Sequence, residues 1–152
     1  IIQALNHSHA PSAVQCVINP LNSAGAIGYV SEAFNPLAIL SECQQLDIPI
    51  LAIRAVQAGA LTSSMDRSPH ESGFDKSDFD DFDKAEPFRD LAIEWGESPA
   101  SLAHRYALSI KGVASVILGV KNRTELKECV EAEAKDLLSD SEIQQIENCL
   151  KG

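Results

Sequence analysis

Two short stretches of this chain carry side chains suited to holding a negatively charged ligand. One runs Gly119-Val120-Lys121-Asn122-Arg123-Thr124-Glu125. Asn122 and Glu125 stand in capping-box order, which predicts that a helix starts at Asn122. Backbone N–H groups point out of such a start and attract anions. Lys121 and Arg123 flank it with two positive charges. The same residues also read as a plain cap that closes the helix on itself. The other stretch is Arg54 and the small-residue loop after it, containing Gly59. A residue without Cβ lets a ligand approach the backbone closely. Arg54 offers either a charge-assisted bond to that ligand or a structural ion pair.

The remaining reactive side chains point to less. Cys16, Cys43, Cys129 and Cys149 are widely spaced, with no C-x-x-C and no histidine at metal-ligand distance. They read as plain thiols, buried or half-buried, of a cytoplasmic protein. His7, His9 and His70 read as solvated loop side chains, and His104, between Leu102 and Tyr106, as a helix-surface residue.

The elements that must position these residues alternate in type. Ala13 to Ile18 is a short β-branched run between prolines and reads as a buried strand. After a loop from Asn19 to Ser31, Asn35-Pro36 caps a helix whose Leu37, Leu40, Cys43 and Leu46 recur at helical spacing. Pro49 to Ile53 is a second strand. Pro87 to Trp95 and the helix begun by Ser98-Pro99 follow, the latter with Leu102, Tyr106 and Ile110 inward. Ala114 to Leu118 is a third strand. The helix from Asn122 is expected to turn Leu126, Cys129 and Val130 inward, and Ser139-Asp140-Ser141-Glu142 opens a last helix presenting Ile143, Ile146 and Leu150.

One segment breaks the alternation. Asp66 to Glu86 holds eight acidic residues against three basic ones, a net −5 out of the chain's −10. It reads either as a disordered acidic linker or as an excursion loop pinned by Phe74, Phe79 and Phe82. The acidic balance, with a sequence pI near 4.7, argues against a nucleic-acid partner. No apolar run approaches the roughly 20 residues needed to cross a bilayer, and no secretion signal is visible. The chain opens Ile1-Ile2-Gln3 and its only methionine is Met65, so its first residue is expected not to be a native start.

Strands separated by helices imply right-handed β-α-β units and a parallel sheet, hence an α/β fold. Three strands alone leave two open edges, which natural proteins avoid. An eight-stranded (β/α)8 TIM barrel takes ~250 residues. These 152 residues therefore read as one partial barrel domain, the C-terminal half, with an acidic loop or insert at about 63–86.

At the strand ends the residues become specific. Val14-Gln15-Cys16-Val17-Ile18-Asn19-Pro20-Leu21-Asn22 is similar to the sixth-strand signature of the aldo-keto reductase family. Ile50 to Thr62 resembles that family's seventh strand and its phosphate-side loop, and Val116 to Leu126 its eighth strand and following helix. Leu138-Ser139-Asp140-Ser141-Glu142 resembles the start of its C-terminal helix. The segments follow in order across essentially the whole chain. The Ile53-Arg54 pair and the acidic insert are similar to bacterial and cyanobacterial-type members.

The resemblance implies an NAD(P)H-dependent reductase of aldehydes or ketones that uses no metal. The family's catalytic Asp, Tyr, Lys and His lie on its first four strands, so this chain would hold the cofactor half and no catalytic residue. Tyr29 and Tyr106 stand in no matching motif. By position, Gln15 would hydrogen-bond the nicotinamide carboxamide, which needs both a donor and an acceptor. Ile53 would pack on the ring where the family stacks a flat side chain. Arg54, Gly59 and Gly119 would border the pyrophosphate. Lys121, Asn122 and Arg123 would meet the adenosine end, favouring the 2′-phosphate of NADPH, with NADH as the alternative. Glu125 stands where the family tends to have Gln or Arg, and Cys129 where it tends to have Asn beside the adenine. Glu128 matches the family's acidic neighbour. The expected partners are a nicotinamide cofactor and a small carbonyl substrate, with no nucleic acid and no membrane. The chain by itself is expected to self-associate or to need its N-terminal half. The alternatives are a non-catalytic half-barrel assembly module and an inactive remnant.

Overall fold

The computed structural model describes residues 1–27, 35–65 and 77–151. In chain order they form α1 (Ile2–Leu5), β1 (Val14–Val17), α2 (Pro20–Ser23), α3 (Pro36–Gln45), β2 (Ile50–Ile53) and a 3-10 turn (Gln57–Gly59). Then come α4 (Ser77–Lys84), α5 (Glu86–Glu94), α6 (Pro99–Ser109), β3 (Val113–Val116), α7 (Arg123–Glu133) and α8 (Asp140–Cys149). No described helix is long and apolar enough to cross a membrane.

The helices start where local chemistry tells them to. Asn19, Asn35 and Ser98 each precede a proline, and each side-chain oxygen accepts from a backbone N–H of the first turn. Proline there costs no hydrogen bond and has φ already set. At Ser139 the capping box closes in both directions, with the Glu142 carboxylate accepting from Ser139 N at 2.7 Å.

The strands run parallel in the order β1-β2-β3. Val14 pairs with Ile50 and Val17 with Ile53, while Leu51 pairs with Ser115 after an irregularity between Ile50 and Leu51. Alternation along parallel strands sorts the side chains. Val14, Cys16, Ile50 and Ala52 face the helices and pack with Leu5, Ile39, Cys43 and Ala107. A second core, centred on Phe88, Leu102, Tyr106 and Ile146, joins α5, α6 and α8. On the other side of the sheet Gln15 and Ser115 are exposed, and Ile117, just past β3, is 46% exposed.

Three expectations need correction. Leu126 and Val130 of α7 are exposed rather than inward, because α7 packs on α6 through Cys129 and Ala132 and no described element covers its other flank. His104 is buried, not on the helix surface, since α7 lies over that side of α6. The acidic segment is no linker at residues 77–86. There it forms α4 and the start of α5, with Phe82 against the second core and the Arg89 guanidinium 3.8 Å from its ring centroid. Phe74 lies outside the described residues, as do Tyr29 and His70.

Candidate functional site

The loops leaving β2 and β3 at their C-terminal ends enclose a cavity of about 470 Å³. Its size is within the range of small-molecule sites, and the C-terminal ends of barrel strands are where such sites form. Three elements contribute walls. The loop after β2 supplies Arg54, Gly59 and Thr62. One side of α6 supplies Ala100 and His104, spaced one turn apart. The chain from β3 into α7 supplies Gly119, Lys121, Glu125, Glu128 and Cys129.

Backbone strain gathers in the first wall. Arg54, Gln57 and Ala58 have φ of 57°, 45° and 54°, a region side-chain-bearing residues rarely visit. Gly59, at φ 99°, turns the chain where another residue would be strained. Strain of this kind persists only where the surroundings enforce it. Asn19 does so, donating from Nδ2 to the Arg54 carbonyl and to Gln57 Oε1, both at 3.1 Å. Gln57 donates in turn to Asp81 of α4 at 2.9 Å. Arg54 lines the cavity, and its guanidinium pairs with Asp78 at 3.2 Å and donates from Nε to Gln57. The acidic helix α4 is therefore fastened onto this loop.

The third wall is a helix start whose own side chains occupy its amides. Asn122 Oδ1 accepts from Thr124 N at 2.9 Å and Glu125 N at 3.0 Å. The Glu125 carboxylate accepts from Lys121 N and from Asn122 Nδ2, both at 2.8 Å. Glu128 accepts from Ser98 Oγ, which ties α7 to the cap of α6. Asn122 and Arg123 themselves lie outside the cavity wall, as do Gln15 and Ile53, which lie on the open face of the sheet.

His104 is the member the sequence reading missed. It is 7% exposed, its Nε2 lies 3.3 Å from Cys129 Sγ, and its buried Nδ1 has no hydrogen-bond partner. Burial lowers the imidazole pKa below its ordinary value, with Glu128 pulling weakly the other way. Burial likewise raises the Cys129 thiol, and Glu128 and Glu125 add to the rise. Both shifts favour the neutral forms. On those shifts the pair is a thiol beside an imidazole rather than an activated thiolate. The one-turn spacing of Ala100 and His104 was the only sequence signal for it. Among the described residues no group of three or more His, Cys, Asp or Glu gathers as a metal site.

Comparison with known proteins agrees with this architecture. The model of the Aldo/keto reductase family matches residues 1–151. Among solved structures, the chain is similar to a glycerol dehydrogenase from Gluconobacter oxydans, with a TM-score of 0.64 at 20% identity. That match covers 91% of this chain and 42% of the dehydrogenase, so the chain spans less than half of that protein's length. No curated protein sequence matches. The parallel sheet with its outer helices is thus part of a (β/α)8 barrel, and the chain belongs to the aldo/keto reductase family.

Proposed function

We propose that the protein carrying this chain reduces aldehydes or ketones with a nicotinamide dinucleotide, and that residues 1–152 form the cofactor half of its barrel, with an acidic insert at about 63–86. The observation that carries this reading is the cavity, which joins the strained Arg54–Gly59 loop to the start of α7 at the C-terminal strand ends. Its residues fit such a group. Arg54 and Lys121 offer cations, Gly59 offers close backbone approach, and His104 holds a buried ring nitrogen that no protein atom satisfies. When bound, the cofactor supplies the hydride. This chain's residues bind and orient it, with Gln15 and Ile53 on the open sheet face available to the nicotinamide end. The proton for the carbonyl oxygen must come from a general acid outside these residues.

Four free thiols suit the reducing conditions of the cytoplasm, where we place the protein. A second reading, a non-catalytic half-barrel that docks on another half, is favoured by the bare sheet face around Gln15, Ser115 and Ile117. Covering such a face is worth about 1 kcal/mol for each large apolar side chain brought from half-exposed to buried. Both readings therefore expect residues 1–152 alone to self-associate or to bind an N-terminal half.

The test is carbonyl-dependent oxidation of NADH and NADPH, followed by absorbance. Residues 1–152 alone are expected to show none, while still binding a dinucleotide in a fluorescence titration. Turnover by this chain free of contaminating enzyme overturns the division of labour. Failure of both dinucleotides to bind removes the cofactor reading and leaves the docking module.

A further inference from the structure

Along the strained loop after β2, Arg54, Ala55, Val56, Ala58 and Gly59 line the cavity, and Gln57 does not. Its side chain is buried among polar partners instead. Oε1 accepts from Asn19 Nδ2 and from Arg54 Nε, both at 3.1 Å, while Nε2 donates to Asp81 Oδ2 at 2.9 Å. Only one orientation of the amide fits these partners. Turned over, it would set N–H groups against two donors and an oxygen against a carboxylate. Asn19 cannot yield by turning instead, because its Oδ1 caps α2 by accepting from Asn22 N at 2.9 Å.

The other end of the contact is equally fixed. Lys84 Nζ lies 3.5 Å from Asp81 Oδ1 and donates to the Ala26 carbonyl at 3.1 Å. Arg89 of α5 donates to the carbonyls of Ala60 and Phe82, at 3.1 and 2.7 Å, and so ties α4 to the end of the same loop. An acidic helix serving as a solvated face has no reason to bury carboxylates, which costs free energy unless they are bonded. Yet Asp78 and Asp81 are 9% and 5% exposed, while Asp80 and Asp83 stand in solvent. Three residues of the supported loop, Arg54, Gln57 and Ala58, are at positive φ, a state that persists only where the surroundings enforce it.

Resting on the dinucleotide reading above, we infer that Gln57 and Asp81 are positioning residues: the Asp81 carboxylate fixes the Gln57 amide, and through it the shape of the Arg54–Gly59 wall against which the dinucleotide binds. The acidic helix is thus a bracket for the site. Neither residue lines the cavity, so both act through the backbone of their neighbours and through Arg54.

The test exchanges the two partners in the full-length protein. Gln57→Glu sets a carboxylate against the Asp81 carboxylate. Adding Asp81→Asn faces a donor with an acceptor again, in reversed order, at the parent's net charge. Gln57→Glu is expected to weaken NADH and NADPH alike by about tenfold in a fluorescence titration, the loss of a hydrogen bond to a charged group. It should also raise deuterium uptake at the amides of residues 54–62. The exchanged pair should bind within about threefold of the parent and lose the extra uptake. Gln57→Glu with Asp80→Asn has the same net charge and should restore neither. A Gln57→Glu protein that melts lower but binds like the parent has lost a merely stabilising contact, and overturns the inference. So does weakened binding that Asp81→Asn does not repair, or that Asp80→Asn repairs equally well. If neither dinucleotide binds the parent, the dinucleotide reading falls, and uptake at 54–62 by itself decides whether Asp81 positions the loop. Should Gln57→Glu not fold, Asp81→Ala, which removes the acceptor of the amide, takes its place in both measurements.

Discussion

The two faces of the sheet were built from similar residues and ended in opposite environments. On the helix side, Val14, Cys16, Ile50 and Ala52 are buried under α1, α3 and α6. On the other side, Leu51 and Ile53 are half-exposed, and Ile117 and Leu118 beyond β3 are more exposed still. Parallel sheets are normally covered on both faces, which is why their strands read as continuous apolar runs. The strands here have that two-sided composition, yet the described residues cover one side. The difference shows that these strands carry more apolar surface than the described residues cover. The surplus lies along the inner face, the β3 edge and the Leu126–Val130 flank of α7.

The sharpest way to break that comparison is to remove equal side chains from each face. Ile50 is fully buried, so Ile50→Ala should cost about 3–4 kcal/mol through lost burial and the cavity left behind. Ile117 is nearly half exposed, and Ile117→Ala should cost under about 1 kcal/mol in residues 1–152 alone. Urea unfolding of both variants measures the gap. Equal costs would mean that both faces are covered in solution, by a second copy or by rearrangement.

The helix layer is held by a polar lock as well as by its apolar cores, and the lock gives the next effect. Glu97, at the end of the α5–α6 turn, accepts from Ser101 Oγ at 2.6 Å and from Lys135 at 2.8 Å, and also pairs with Arg105. Burial by itself would raise its carboxyl, but the hydrogen bonds from Lys135, Ser101 and Arg105 prevail and hold it below the ordinary value of 4.5. A depressed folded pKa means the folded state gives up this proton more readily than the unfolded state. The resulting stability is present above pH 4.5 and is lost as the pH falls through the lower folded value. Glu97→Gln should cost about 2 kcal/mol near neutrality, less than a sealed ion pair because Lys135 is partly solvated. It should also flatten the acid limb of a stability profile measured between pH 3 and 7, roughly the range over which carboxylates titrate. An acid limb as steep as the parent's would place that dependence on other carboxylates.

How much of this was legible in the sequence follows from which forces are local. The three strands, the proline-preceded helix starts and the Ser139 capping box depend on neighbours within a turn, and they were readable from residue order. The acidic stretch was half readable. Its phenylalanines hinted at anchorage, but the bonds from Arg54 to Asp78 and from Gln57 to Asp81 join residues 24 apart, which no periodicity reveals. Leu126 and Val130 were misread because their pattern is that of a buried stripe, and the pattern cannot say whether the covering element belongs to this chain. Arg54, Gly59, Gly119, Lys121, Glu125, Glu128 and Cys129 line one cavity. Arg123 does not, because it stands two residues before Glu125 and so leaves α7 on the side opposite the Glu125–Glu128–Cys129 face. His104 was missed because its burial depends on α7, 25 residues downstream at Cys129.

His104 belongs to neither face in the simple sense. It sits in the helix layer but lines the cavity, so it tests where the sealed region ends. Its imidazole pKa lies below the ordinary 6.5 because of burial, against a weaker opposing pull from Glu128. Below pH 6.5 the unfolded chain takes up a proton that the folded chain resists. The neutral form's contribution is therefore complete above 6.5 and is lost as the pH falls toward the folded pKa. His104→Leu cannot take up that proton in either state. The stability difference between parent and variant should thus shift against the parent by up to about 1 kcal/mol between pH 7.5 and 5.5, since each pK unit corresponds to roughly 1.4 kcal/mol. Chemical denaturation of both proteins across that range measures it, and other titrating groups cancel in the difference to first order. A difference that stays constant with pH would show that His104 titrates alike in the folded and unfolded chains. The imidazole would then be solvated, and the sealed layer would end at Cys129 rather than beneath it.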